Sequence, residues 1–164
     1  MQALPAGATA PEFQLKSLDG KEFFLREALV RGPVLLVFFK VSCPTCQYSF
    51  PFYERLFRKY RNRNVTLVAI SQNNPAETAA FAREFGVTFP ILLDDIPYPV
   101  SNAYGLTNVP TLFWISPEGR IELSSAGWYK PEFEAINRRM AEASAMASVS
   151  LFQPGEEVRE FRAG

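Results

Sequence analysis

The chain has 164 residues, 48% of them hydrophobic, and its 17 basic and 17 acidic side chains cancel. That balance suits one ordinary globular domain with a sizeable core and offers no global field for nucleic acid or an anionic membrane. There is no histidine, which excludes Ser-His-Asp and Cys-His nucleophiles, histidine metal sites and histidine acid-base work.

The first eight residues, Met1 to Ala8, have neither the basic n-region nor the apolar h-region of a secretory signal, and no run reaches the ~20 apolar residues of a membrane helix. As written, the chain reads as soluble, unanchored and cytoplasmic, or as periplasmic or extracytoplasmic where a leader has been removed. Pro11 to Leu15 and Glu22 to Leu25, about a turn with Asp19-Gly20 at its tip, read as an N-terminal hairpin. Arg26 to Val30 is one helical turn, closed by Gly32-Pro33. Val34 to Phe39 is an unbroken apolar run, the pattern of a strand buried on both faces at the centre of a sheet.

Directly after it come the only two cysteines, in Lys40-Val41-Ser42-Cys43-Pro44-Thr45-Cys46-Gln47. Downstream, Cys46, Phe50, Tyr53, Leu56, Phe57 and Tyr60 recur at helical spacing, predicting an amphipathic helix over about Thr45 to Arg61. Cys43 then sits at the helix mouth and Pro44 in the first turn, where a missing N–H costs nothing. Free amides and the positive end of the helix dipole favour a thiolate, so Cys43 is the expected nucleophile. Cys46, one turn deeper, is the expected resolving thiol. Lys40 and Gln47 either add positive charge or a donor near the sulfurs or point into water. A structural disulfide closing so short a loop would constrain the unfolded chain little. Zinc needs about four ligands, and no further cysteine or histidine exists to complete a site. No metal and no cofactor are expected.

Val65 to Ile70 is a second buried strand, and Ser71 to Pro75 carries cap signals for a helix reaching Phe85 and stopped by Gly86. Pro90 to Leu93 is a short segment, followed by a loop holding Asp94 and Asp95, read either as a cation or acid-base pair or as a solvated loop. A short helix covers Val100 to Tyr104. Thr111 to Ile115 and Ile121 to Ser125 make a hairpin about Pro117 to Arg120. A last helix runs from Pro131 to about Met146. Tyr48, Phe89, Tyr104 and Trp128 are candidates either for an apolar groove beside Cys43 or for core packing, and Trp114 reads as core. The core spans about residues 5–147, and the tail 148–164 reads as irregular or loosely docked.

This order of elements, with C-x-x-C after the central strand and Val109-Pro110-Thr111 opening a hairpin, resembles the thioredoxin fold: α/β, a central mixed sheet flanked by helices, with the N-terminal β-hairpin as an extension. The resemblance implies that Pro110 is cis and packed against the cysteine pair and that Val109 presents backbone groups to a substrate; Pro44, Thr45 and Tyr48, which follow Cys43, are the further candidates for substrate contact. Gly7 to Leu15, Leu18 to Lys21 and the insertion around Phe89 to Asp94 resemble the TlpA-like reductases and the alkyl hydroperoxide reductase/thiol-specific antioxidant proteins. Three positions depart from these patterns. Ser49 stands where TlpA-like reductases commonly carry glutamate, and Ser42 and Val37 stand where thioredoxin has tryptophan and aspartate. The peroxiredoxin pattern of Thr or Ser three residues before the reactive cysteine, with Pro four earlier, is not met by Lys40 and Leu36 or by Cys43 and Phe39.

The expected function is therefore thiol-disulfide exchange at Cys43 and Cys46. The partners are a disulfide-containing protein or small molecule and an unidentified electron donor or acceptor, and the chain works as a monomer. A peroxiredoxin-like peroxidase and a redox-responsive binding module are the alternatives.

Overall fold

In the computed structural model, which describes residues 2–164, β1 (Gln14–Lys16) and β2 (Glu22–Phe24) form the N-terminal hairpin and lead through α1 (Leu25–Arg31) into β3 (Val34–Phe39). Then follow α2 (Pro44–Tyr60), β4 (Thr66–Ser71), α3 (Pro75–Phe85), β5 (Ile91–Leu93), α4 (Pro99–Ala103), β6 (Thr111–Ile115), β7 (Ile121–Ala126), β8 (Trp128–Tyr129), α5 (Lys130–Ala143) and β9 (Phe161–Arg162). The main sheet has the order β5-β4-β3-β6-β7. β3 lies in its middle, parallel to β4 and antiparallel to β6. Every residue of β3 is fully buried, as a strand covered on both faces must be.

Because strand side chains alternate, β3 ties together two aromatic clusters. Phe39 packs on Phe50 of α2 and Phe81 of α3, whereas Phe38 meets Tyr104 and Phe113. Helix boundaries follow local chemistry. Asn74 caps α3 by accepting from the Glu77 amide at 2.8 Å, Pro75 occupies its first turn, and Gly86 ends it in the left-handed conformation. α2 runs unbroken through Pro51.

The aspartate pair divides in two. Asp95 is exposed, whereas Asp94 is 1% exposed. Asp94 accepts from the Val100 amide (3.3 Å) and from the Ser101 amide and hydroxyl (2.8 and 2.7 Å). It thus fastens the start of α4, and the solvated reading fails for Asp94 because the chain turns the free amides six and seven residues on back onto the carboxylate. Asp94→Ala is expected to destabilise the protein by about 1–3 kcal/mol, the cost of buried donors left unpaired; urea unfolding measures it.

The tail also departs from expectation. It is irregular for most of its length yet not loose. Asn137 Nδ2 donates to Val149 O at 2.7 Å, and Arg55 donates to Leu151 O and grips both Glu156 carboxylate oxygens at 2.7 Å. Trp128 Nε1 then donates to Arg159 O at 2.7 Å, and β9 pairs antiparallel with β8. Phe152 packs on Phe52 and Phe133. The short apolar set Leu151, Phe152 and Val158 is too sparse to show periodicity, and its docking comes from distant partners on α2, β8 and α5.

Candidate active site

β3 carries the chain straight to the reactive loop. The Val41 amide donates to Asn73 Oδ1 at 3.0 Å and Gln47 Nε2 donates to Val41 O at 2.9 Å, so this loop is held from both sides. Cys43 is the N-cap of α2, in extended backbone, and its Sγ accepts from the Cys46 amide at 3.1 Å. Pro44 takes the first helical position, where its fixed φ suits the turn and no N–H is wanted. Cys46 lies one turn on and is 0% exposed, against half-buried Cys43. Both are free thiols.

Facing them is the loop before β6. The Val109–Pro110 bond is cis, and Val109 O lies 3.4 Å from Cys43 Sγ. Thr111 Oγ1 donates to Asn108 O at 2.7 Å and the Gly127 amide donates to Pro110 O at 2.7 Å, which fix the loop from both ends.

The two sulfurs are electrostatically unlike. The hydrogen bond from the Cys46 thiol, with lesser help from the Cys46 and Thr45 amides and the Arg162 charge, pushes Cys43 down to about 6 against opposing desolvation. Burial, joined by that same hydrogen bond, pushes Cys46 far up. The directions are those needed for one sulfur to attack and the other to wait as a thiol. Tyr53, fully buried beside the pair, is likewise held up by burial.

A pH dependence follows. Cys43 alkylation by iodoacetamide is expected to be half-maximal near pH 6, leaving it about nine-tenths ionised at pH 7 against a few per cent for an ordinary thiol. The sign for stability is that of a depressed acid. The contribution to the reduced protein is fully present above the ordinary value of 9.0 and is lost as pH falls through about 6. Mass spectrometry of trapped adducts from pH 4 to 9 reads the midpoint.

The residues expected on the substrate side are brought together, but not all are open. Pro44 is exposed; Thr45 is 4% exposed and Val109 9%; Pro110 is buried; Tyr48 is half-buried. Phe89, Tyr104 and Trp128 belong to the core, not to a groove. The apolar-groove reading therefore fails for those three, because each is already packed against other rings of the fold. The Lys40 side chain is exposed and that of Gln47 bonds Val41, so neither side chain supplies a donor to the sulfurs, although the Lys40 backbone amide acts on Cys46. The cation that acts on Cys43 is Arg162, 5.5 Å above the Tyr48 ring. No motif marks it, since β9 is two residues long and reaches the site only through pairing with β8. Among the described residues, no group of His, Cys, Asp or Glu could hold a metal ion, and no helix is long and apolar enough to cross a membrane.

A model of the AhpC/TSA family matches residues 6–124. The chain belongs to the AhpC/TSA family. Its similarity to the thiol-disulfide oxidoreductase ResA of Geobacillus thermodenitrificans is 35% identity over 121 residues, covering 73% of this chain and 68% of that protein. ResA of Bacillus subtilis is 27% identical over 156 residues, 94% of this chain and 80% of that one. A candidate protein disulfide isomerase from Bacteroides thetaiotaomicron, 25% identical, superimposes with a TM-score of 0.80 over 88% of this chain and 95% of its own. This AhpC/TSA family member has the thioredoxin fold with its TlpA-like insertions, and it is a thiol-disulfide oxidoreductase.

Proposed function

We propose that Cys43 carries the exchange as nucleophile and Cys46 resolves it, with a disulfide held against the Val109–Pro110 loop. The Cys43 thiolate attacks one sulfur of the substrate disulfide. A Cys43–substrate bond forms, the substrate S–S bond breaks, and the departing thiolate takes up a proton. Cys46 then gives up its proton and attacks Cys43 Sγ, releasing the second substrate thiol and leaving a Cys43–Cys46 disulfide. Two electrons pass to the substrate, and an external dithiol restores the pair. All these groups come from one chain, which acts as a monomer.

The observation that supports this best is the placing of Cys43 Sγ. It is at the mouth of α2, 3.1 Å from the Cys46 amide and 3.4 Å from Val109 O, half-exposed while its twin is sealed. No carboxylate takes part in shifting Cys46, in keeping with Ser49, whose hydroxyl donates to Cys46 O at 3.4 Å, where a glutamate is common. The proton of Cys46 therefore leaves to water or to the departing thiolate. Turnover of a disulfide substrate with dithiothreitol, run beside hydrogen peroxide consumption, tests the reading. Disulfide turnover is expected; peroxide consumption without it would favour a peroxidase, and neither would favour a binding module.

A further inference from the structure

The end of the tail lies on the place where a substrate chain would be held. Thr45 Oγ1 donates to Ala163 O at 2.6 Å. Gly164 rests so close to the proline loop that a Cβ on it would sit 2.4 Å from Val109 O and 3.0 Å from Asn108 Nδ2. Residue 164 must be glycine, or be elsewhere, for this contact to exist. One step upstream, a Cβ on Gly127 would sit 2.6 Å from Arg162 O, so β9 is also let in by a missing side chain, at a residue whose φ of +84° suits glycine. Behind it the segment is anchored by Trp128 Nε1 to Arg159 O (2.7 Å), the Arg159 amide to Tyr48 Oη (3.0 Å) and the Lys130 amide to Glu160 O (2.8 Å). The result is that Thr45, Tyr48 and Val109, all on the substrate side of Cys43, are engaged by the chain's own residues 159–164, while Pro44 and Cys43 stay open.

An extended polypeptide gains its affinity for such a site by main-chain pairing with an exposed backbone edge. Here that edge is taken, whereas a small disulfide needs only to reach the half-exposed sulfur. We infer that Ala163 and Gly164 determine specificity, admitting small-molecule disulfides to Cys43 directly and polypeptide disulfides only when these two residues swing away. This rests on the proposed roles of Cys43 and Val109.

Displacing the pair gives up one hydrogen bond, to Ala163 O, so the cover is expected to slow polypeptide substrates about tenfold. The test compares kcat/KM for insulin and for oxidised glutathione, with dithiothreitol as the reductant, in the full chain, in a chain ended after Arg162, and in Gly164→Leu. Ending after Arg162 keeps β9 and the Arg162 charge, and the leucine cannot occupy the contact, so neither change disturbs the core. The expected result is a rise of about tenfold for insulin in both variants, with glutathione disulfide unchanged within about twofold. An unchanged insulin rate beside normal glutathione turnover overturns the specificity role and leaves the exchange mechanism standing. Loss of both activities in the unaltered chain overturns both.

Discussion

Replacing Cys43 with serine is expected to abolish disulfide exchange, to the limit of detection, while leaving the fold intact. Serine keeps the N-cap, since a hydroxyl accepts from the helix amides as the sulfur does at 3.1 Å. What disappears is a nucleophile ionised through pH 6. A serine hydroxyl would need a general base, and this chain has no histidine to supply one. Cys46 cannot take over, because it is fully buried and its thiol is held protonated by burial. Circular dichroism of the variant should match the parent, which separates lost chemistry from lost structure.

Trp128→Ala is expected to have the largest effect on stability, about 3–5 kcal/mol by denaturant titration, the range for deleting a buried aromatic. Trp128 is 1% exposed and touches the rings of Tyr48, Phe52, Tyr53 and Phe133, joining α2 to α5. Its indole also holds the tail through Arg159 O. The same substitution should therefore free residues 159–164, and faster amide exchange in that segment than elsewhere would show it. A loss below about 1 kcal/mol would mean that the site can collapse around the missing ring.

The parts of this molecule governed by short-range pattern were legible in the sequence. β3 announces itself as six apolar residues, α2 by its apolar spacing, α3 by Asn74, Pro75 and Gly86 at its two ends. The cysteine pair was legible for the same reason: a strand, a C-x-x-C and a helix follow one another without a gap. The cis Pro110 needed the whole order of elements, since an X-Pro bond by itself says little.

What escaped was decided by residues far apart. Asp94 looked solvated beside Asp95, but its partners arrive with the turn of α4. Trp128 was as good a groove candidate as a core one until its ring neighbours from α2 and α5 were in place. The tail is the clearest case. Its fourteen last residues carry weak periodicity, yet Glu156, Arg159 and Ala163 each find partners over 30 to 118 positions away. Such contacts leave no spacing to read.

The central claim is that one sulfur attacks and the other releases, and Cys46→Ser tests it most directly. Offered oxidised glutathione at pH 7, this variant should accumulate a single glutathione adduct on Cys43, seen by intact mass and placed by peptide mapping, with no turnover. Continued turnover, or a protein that stays unmodified while the parent reacts, would contradict the account.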